Sequence, residues 1–199
     1  MNTEQISYSS LATANSDVLR QILLDLIVKY AYVEGDFVLS SGAKSSYYIN
    51  CKQVTLRADG ALALGRLLFK LLPDDTEAVA GLTLGADPMV SAVSVVSAYE
   101  NNSIPALIIR KKSKGHGTKA YIEGPSLAQG AKIVVLEDVV TTGGSALTAV
   151  ERLQDAGYQV TQILSLVDRK QGGSELYQSK GIKFQALFSI QEIQQQYST

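Results

Sequence analysis

Ile133-Val134-Val135-Leu136-Glu137-Asp138-Val139-Val140-Thr141-Thr142-Gly143-Gly144-Ser145 is the stretch that decides the fold. With Lys132 before it, KIVVL is a continuous apolar run, as a strand covered on both faces requires. Two acids follow, then a Thr/Gly/Ser turn, then a helical pattern over 145–156. In open α/β sheets, ligands bind beyond the carboxyl ends of the strands. A helix N-terminus there offers backbone N–H groups to a phosphate. The hydroxyls of Thr141, Thr142 and Ser145 add donors, and Gly143 and Gly144 let the backbone approach without a Cβ in the way. Glu137 and Asp138 would repel a phosphate that they faced, so they are expected to face sugar hydroxyls or a nearby Mg²⁺. The segment is neither a Walker loop nor a dinucleotide Gly-x-Gly-x-x-Gly.

Outward from this segment, strand and helix patterns alternate. Residues 159–167 read as a strand and 184–190 as one more. Upstream, 104–109 and 77–83 are short apolar strands, and Asp87-Pro88 opens a helix to about Asn101 with Asp87 as cap. Residues 58–72 have helical spacing, stopped by Pro73. Residues 37–39 and 47–51 read as strands around the turn Ser40-Ser41-Gly42-Ala43. Ser16 or Asp17 caps a helix running to about Ala31, Gly35 ends that region, and 1–15 read as a loose polar arm. Alternation of this kind implies an α/β domain with a mainly parallel sheet. Without repeats, low-complexity tracts or a linker, the 199 residues read as one domain.

Composition narrows the function. Apolar residues make up 46% of the chain, enough for a sizeable core. A net charge of -1 gives no global electrostatic reason to expect a nucleic-acid partner. A single cysteine, Cys51, excludes an intrachain disulfide and fits a reducing compartment. The start MNTEQISYSSLATANSD lacks the basic-then-apolar pattern of a signal peptide, and no uncharged apolar run reaches the ~18 residues of a membrane helix. The expectation is a soluble cytoplasmic protein with no membrane partner. Charge is nevertheless uneven: Arg110, Lys111, Lys112, Lys114 and Lys119 give residues 110–119 a local +5, with no acid, and the only histidine, His116, lies among them.

Three segments together carry a resemblance. The 133–145 segment closely resembles the phosphoribosyl pyrophosphate (PRPP) signature of type I phosphoribosyltransferases. The runs Phe37-Val38-Leu39-Ser40-Ser41-Gly42-Ala43-Lys44-Ser45-Ser46-Tyr47-Tyr48-Ile49-Asn50 and Arg110-Lys111-Lys112-Ser113-Lys114-Gly115-His116-Gly117-Thr118, continuing through Ile122-Glu123-Gly124, resemble the orotate members of that family, in order along nearly the whole chain. Gly81-Leu82-Thr83-Leu84-Gly85-Ala86-Asp87-Pro88 fits as their pyrophosphate-side loop, and Asp168-Arg169 fits the strand end that contacts orotate. Ser40 stands where some bacterial members have lysine, and Leu84-Gly85 where some have Tyr-Lys, which marks a subtype.

The resemblance implies a type I phosphoribosyltransferase fold: a mainly parallel central sheet flanked by helices, with a small hood from the N-terminal strands and the C-terminal segment. The implied reaction is orotate plus PRPP giving orotidine 5′-monophosphate and pyrophosphate, with Mg²⁺ held mainly through PRPP and no direct protein ligand assigned. Glu137 and Asp138 would hold the ribose 2- and 3-hydroxyls, and 141–145 the 5-phosphate; Val139 and Val140 belong to the same PRPP-binding run. Arg110, Lys111, Lys114 and His116 would contact the pyrophosphate, with Lys114, His116 and Asp138 as the catalytic set. A lysine-rich segment can neutralise the charge that builds on the leaving group, and its glycines let it close and reopen. His116 could donate a proton, since imidazole titrates near neutral pH. Arg169 could grip the orotate carboxylate in a two-pronged pair or be a surface arginine, with Thr141 beside the same ligand. Tyr47 and Tyr48 could line the base site or simply pack in a strand. Family members also share loops across a homodimer, so 110–124 is expected to be a mobile catalytic loop, with 112–123 acting in the partner's site. The rivals are a phosphoribosyltransferase for a purine or uracil, a PRPP-sensing regulator that binds nucleic acid, and an inactive paralogue.

Overall fold

The computed structural model describes residues 8–38, 42, 44–113 and 121–199. Its centre is a six-stranded sheet of β3 (Ala78–Leu82), β4 (Ala106–Ile109), β5 (Ile122–Glu123), β6 (Lys132–Val140), β7 (Gln159–Asp168) and β8 (Lys183–Ser189). The spatial order is β5-β4-β3-β6-β7-β8. Every pairing is parallel except that of β4 with the short edge strand β5. The α/β class with a mainly parallel sheet therefore holds. The chain moves outward from β3 to β4, then returns to place β6 on the other side of β3. That reversal is a topological switch point, where crossing connections leave a crevice at the strands' carboxyl ends.

The apolar run Ile133 to Leu136 is almost wholly buried because it feeds two cores at once. Val134 and Leu136 join the core formed with α2 (Ser16–Leu26), α4 (Ala58–Phe69) and α5 (Asp87–Tyr99). Ile133 and Val135 join the core formed with α6 (Gly144–Asp155) and α7 (Gly173–Ser179). Alternation of side chains along a strand makes this two-sided burial possible. A separate hairpin, β1 (Tyr32–Val38) paired antiparallel with β2 (Lys44–Ile49), stands at the carboxyl end of the sheet as the expected hood. The C-terminal helix α8 (Ile190–Tyr197) reaches it: Tyr197 meets Tyr32 edge-on, with ring centroids 5.1 Å apart.

Several local expectations are corrected. The arm over 1–15 is not loose throughout, because Tyr8–Thr13 form helix α1, whose Leu11 is 1% exposed and whose Leu11 carbonyl accepts from Arg66. Asn15, rather than Ser16 or Asp17, caps α2 by accepting from the Val18 N–H. The helix then widens through a π-helical turn, Ile27–Ala31, before β1. Gly35 does not end the region but sits inside β1, where the register shifts between Glu34 and Phe37. Ala86 occupies the cap position of α5, and Asp87 is its first residue. β6 runs on through both acids to Val140. The sequence reading did not pick out α1, β5, α7, α8 or the single-turn helix α3 (Lys52–Thr55), each eight residues or fewer. Leu39, Ser40, Ser41 and Ala43 lie outside the described residues.

Candidate active site

The switch point sets the site between the carboxyl ends of β3 and β6. Asp138 lies there, against the 83–86 turn: a Cβ at Gly85 would come within 2.5 Å of the Asp138 carboxylate, so any other residue there would push that carboxylate aside. The Asp138 carboxylate accepts from the Val139 N–H at 2.9 Å and has Lys52 Nζ at 4.0 Å. Thr83 Oγ1 donates to Asp87 at 2.7 Å and closes the same turn.

Glu137, the residue before Asp138 on β6, turns toward the phosphate turn. It lines a cavity of about 230 Å³ with Val139, Val140, Thr141, Thr142, Gly143, Gly144, Ser145, Ala146 and Tyr177. Its side chain is 6% exposed and its Oε2 has no hydrogen-bond partner among the described residues. Burial, reinforced by the charge of Asp138, pushes its pKa up to about 9. At neutral pH the carboxyl is thus protonated. A neutral acid does not repel a phosphate in the same cavity, which removes the conflict that an ionised Glu137 would create.

The phosphate turn is open because of how α6 begins. α2 and α8 close their N-termini with side chains: Asn15 on α2, and a Ser189/Glu192 capping box on α8. α6 starts on Gly143, in the left-handed conformation at φ 89°, with no side-chain cap and no acid in its first turn. Its first N–H groups therefore keep their donors free for an anion. Thr142, Gly144 and Ser145 are exposed at this end, and Gly144 has open space where a Cβ would be.

Arg169 leaves the end of β7 and is 8% exposed. Its backbone N–H bonds to the Val140 carbonyl at 2.9 Å, which ties the ends of β6 and β7 together. Arg169 Nε donates to Tyr47 Oη at 2.8 Å, Nη2 to Ser45 Oγ at 3.3 Å, and the guanidinium lies 4.6 Å from the centre of the Tyr47 ring. Among the described residues no carboxylate lies within ion-pairing distance of it; neighbouring Asp168 pairs with Lys170 instead. Tyr47 and Tyr48 point to opposite sides of β2. Tyr47 is buried beside Arg169, whereas Tyr48 is 47% exposed and tilts against Phe37 at 5.6 Å.

The basic segment begins where β4 ends. Arg110 pairs with Glu123 at 2.8 Å, and its N–H bonds to the Tyr121 carbonyl. Arg152 of α6 donates to the carbonyls of Arg110 and Lys111 and stacks over Tyr121 at 4.1 Å. Lys111 shares a cavity of about 460 Å³ with Leu82, Gly144, Ser145, Thr148 and Arg152, next to the phosphate turn. Lys114 and His116 lie outside the described residues. Lys52 and Tyr177 also border the site. Nothing local in the sequence marks Lys52, but Gly172-Gly173 before a short polar helix is a start signal that could have exposed α7 and Tyr177.

Comparison with known proteins agrees with this geometry. A phosphoribosyl transferase domain model matches residues 62–198. The orotate phosphoribosyltransferase of Nostoc sp. is 67% identical over 198 residues, covering 98% of this chain and 96% of that protein. The one from Synechocystis sp. is also 67% identical, covering 96% and 97%. Among solved structures, Mycobacterium tuberculosis orotate phosphoribosyltransferase in complex with PRPP superposes with a TM-score of 0.74 at 33% identity, over 88% of this chain and 99% of that one. The same enzyme in complex with Fe(III) dicitrate gives a TM-score of 0.78 at 35% identity, over 88% and 98%. The sheet order, the β6–α6 turn and these matches lead to one conclusion: this chain has the type I phosphoribosyltransferase fold and belongs to the orotate phosphoribosyltransferases.

Proposed function

We propose that the chain transfers the phosphoribosyl group of PRPP to orotate, giving orotidine 5′-monophosphate and pyrophosphate for pyrimidine synthesis. Arg169 carries the choice of acceptor. A guanidinium that is 8% exposed and has no carboxylate partner among the described residues favours a ligand that brings one. Of the competing nucleobases, only orotate has a carboxylate. Arg169 and Tyr47 hold orotate, with Thr141 between it and the phosphate turn; Tyr48, on the far side of β2, supports the hood.

In this reading the open first turn of α6, with Thr141, Thr142 and Ser145, binds the 5-phosphate. Asp138 fixes the ribose hydroxyls while positive charge develops at C1, with protonated Glu137 at the cavity floor. The C1–oxygen bond to pyrophosphate breaks as the bond from the base nitrogen to C1 forms. Arg110, Lys111 and Lys114 neutralise the departing pyrophosphate and His116 donates a proton to it. Asp138 and Glu137 are too few donors to cage a metal, and no group of three or more His, Cys, Asp or Glu that could hold one gathers among the described residues. Mg²⁺ would therefore be held mainly through PRPP, with no direct protein ligand assigned. When bound, Mg²⁺ supplies charge neutralisation at the pyrophosphate.

The reading also includes one domain over 1–199, a cytoplasmic location, and a homodimer whose segment 112–123 works in the partner's site. β5 is the edge strand of the sheet and pairs antiparallel with β4, so the basic segment leaves and returns at the molecule's edge. To test this, Lys114→Ala and Asp138→Asn proteins are mixed and allowed to exchange subunits. Half of randomly mixed dimers are hybrid, each with one intact site of two, so about a quarter of wild-type activity should return. No recovery after verified exchange would mean that each loop serves its own subunit.

The acceptor is tested by following orotate absorbance with PRPP and Mg²⁺, and running uracil and purine bases in parallel. Consumption of orotate alone is expected. Equal use of uracil, or no use of orotate, would contradict the assignment.

A further inference from the structure

α7 packs against the phosphate turn through Gly173 and Tyr177. Tyr177 is fully buried, its ring in tilted contact with Phe184 at 5.1 Å. Its hydroxyl donates to the Gly143 carbonyl at 3.1 Å, a bond that spans 34 positions in sequence. A Cβ at Gly143 would come within 2.9 Å of the Tyr177 ring, so the turn and the ring are fitted to one another. The ring also forms a wall of the cavity lined by residues 139–146 and Glu137.

The Gly143 carbonyl is a critical point of the turn. It also accepts the N–H of Leu147 at 3.2 Å, the first hydrogen bond of α6. A trans peptide is planar, with its C=O and N–H pointing opposite ways. Fixing the Gly143 carbonyl therefore fixes the direction of the Gly144 N–H, out of the helix N-terminus. Without a second bond, the turn would depend on a left-handed glycine followed by a second glycine, the two residues with the widest backbone freedom.

We infer that Tyr177 is a positioning residue for phosphate binding: its hydroxyl clamps the Gly143 carbonyl and so aims the first N–H groups of α6 at the 5-phosphate of PRPP. Burial, with Glu137 and Asp168 nearby, pushes the phenol's ionisation upward, so it remains a donor across the working pH range. The inference rests on the assignment of the 5-phosphate to residues 141–145. It adds a residue, outside the signature segment, that sets the affinity of that turn through the Gly143 carbonyl.

Calorimetric titration of the full chain with ribose 5-phosphate, and separately with Mg²⁺-pyrophosphate, tests it in wild type, in Tyr177→Phe, and in a variant with 4-aminophenylalanine at position 177. Phenylalanine keeps the ring's packing but removes the donor; the amino group restores one. Tyr177→Phe should bind ribose 5-phosphate about 5–10-fold more weakly, with pyrophosphate affinity and orotate KM unchanged. The aminophenylalanine variant should recover most of the loss. Failure of wild type to bind ribose 5-phosphate would sink the assignment of the turn itself. Wild-type binding with an equal Tyr177→Phe affinity would sink only the role of Tyr177. So would an equal loss for both ligands, or a Phe variant that does not fold, since either would make the hydroxyl a general stability group.

Discussion

The carboxyl ends of β6 and β7 lie side by side, joined by the bond from the Arg169 N–H to the Val140 carbonyl, yet they are built in opposite ways. The β6 end is made of main chain. An uncapped helix start, a left-handed Gly143 and a turn of small residues leave backbone donors exposed to an anion. The β7 end is made of side chains. Arg169 is held in place by Tyr47 and Ser45, from a hairpin more than 120 residues earlier. A backbone site accepts any phosphate of suitable size, because every residue supplies the same N–H. A side-chain site can discriminate, because a buried guanidinium loses more when its partner is missing. In the proposed reading the common substrate, PRPP, falls to the β6 end and the choice of base to the β7 end.

The largest effect should come from Asp138, which faces the crevice at the switch point. Asp138→Asn should lower turnover roughly 10²-fold or more, since in the proposed mechanism that charge fixes the ribose as the barrier is crossed. Steady-state rates in a folded variant measure this. Near-normal turnover would remove Asp138 from the chemistry and leave the β6 end as a phosphate anchor only.

The smaller effect concerns Glu137, and its readout is stability. In the folded chain its carboxyl is pushed to about 9 from an ordinary 4.5, by burial first and Asp138 second. Between those values the native state holds a proton that the unfolded chain has released. Stability should therefore fall as pH rises from about 4.5 to about 9 and level off above. Glu137→Gln carries no titrating group and should lose that slope. Urea midpoints for both proteins across this range provide the check. Parallel pH profiles would show that Glu137 is wetter than its cavity suggests.

Legibility in the sequence follows the same division. The β6–α6 junction could be read because everything it needs is contiguous: an apolar run, two acids, two threonines and two glycines within thirteen residues. The parallel core strands were legible for a similar reason, being continuous runs buried on both faces. The pairing of Arg169 with Tyr47 could not be read, since no local pattern says which residue of Tyr47-Tyr48 faces inward when the strand's boundaries are uncertain by one. Alternation along β2 settles it, with Tyr47 inside and Tyr48 outside. α7 was missed because seven residues with few apolar side chains give no helical period, although Tyr177 is fully buried. The different surroundings of Glu137, in the phosphate cavity, and Asp138, beside Gly85, were not legible either, because the apolar run suggests a strand that ends before the acids rather than one that carries them.

The division of labour between the two strand ends is tested most directly by Arg169→Ala, with dissociation constants for PRPP and orotate measured on the same preparation in Mg²⁺. Orotate should weaken by about 2–4 kcal/mol, because a carboxylate loses its charged, buried partner. PRPP affinity should stay within about twofold, because the proposed reading rests its phosphate on main chain at the neighbouring strand. Equal weakening of both ligands would contradict the account.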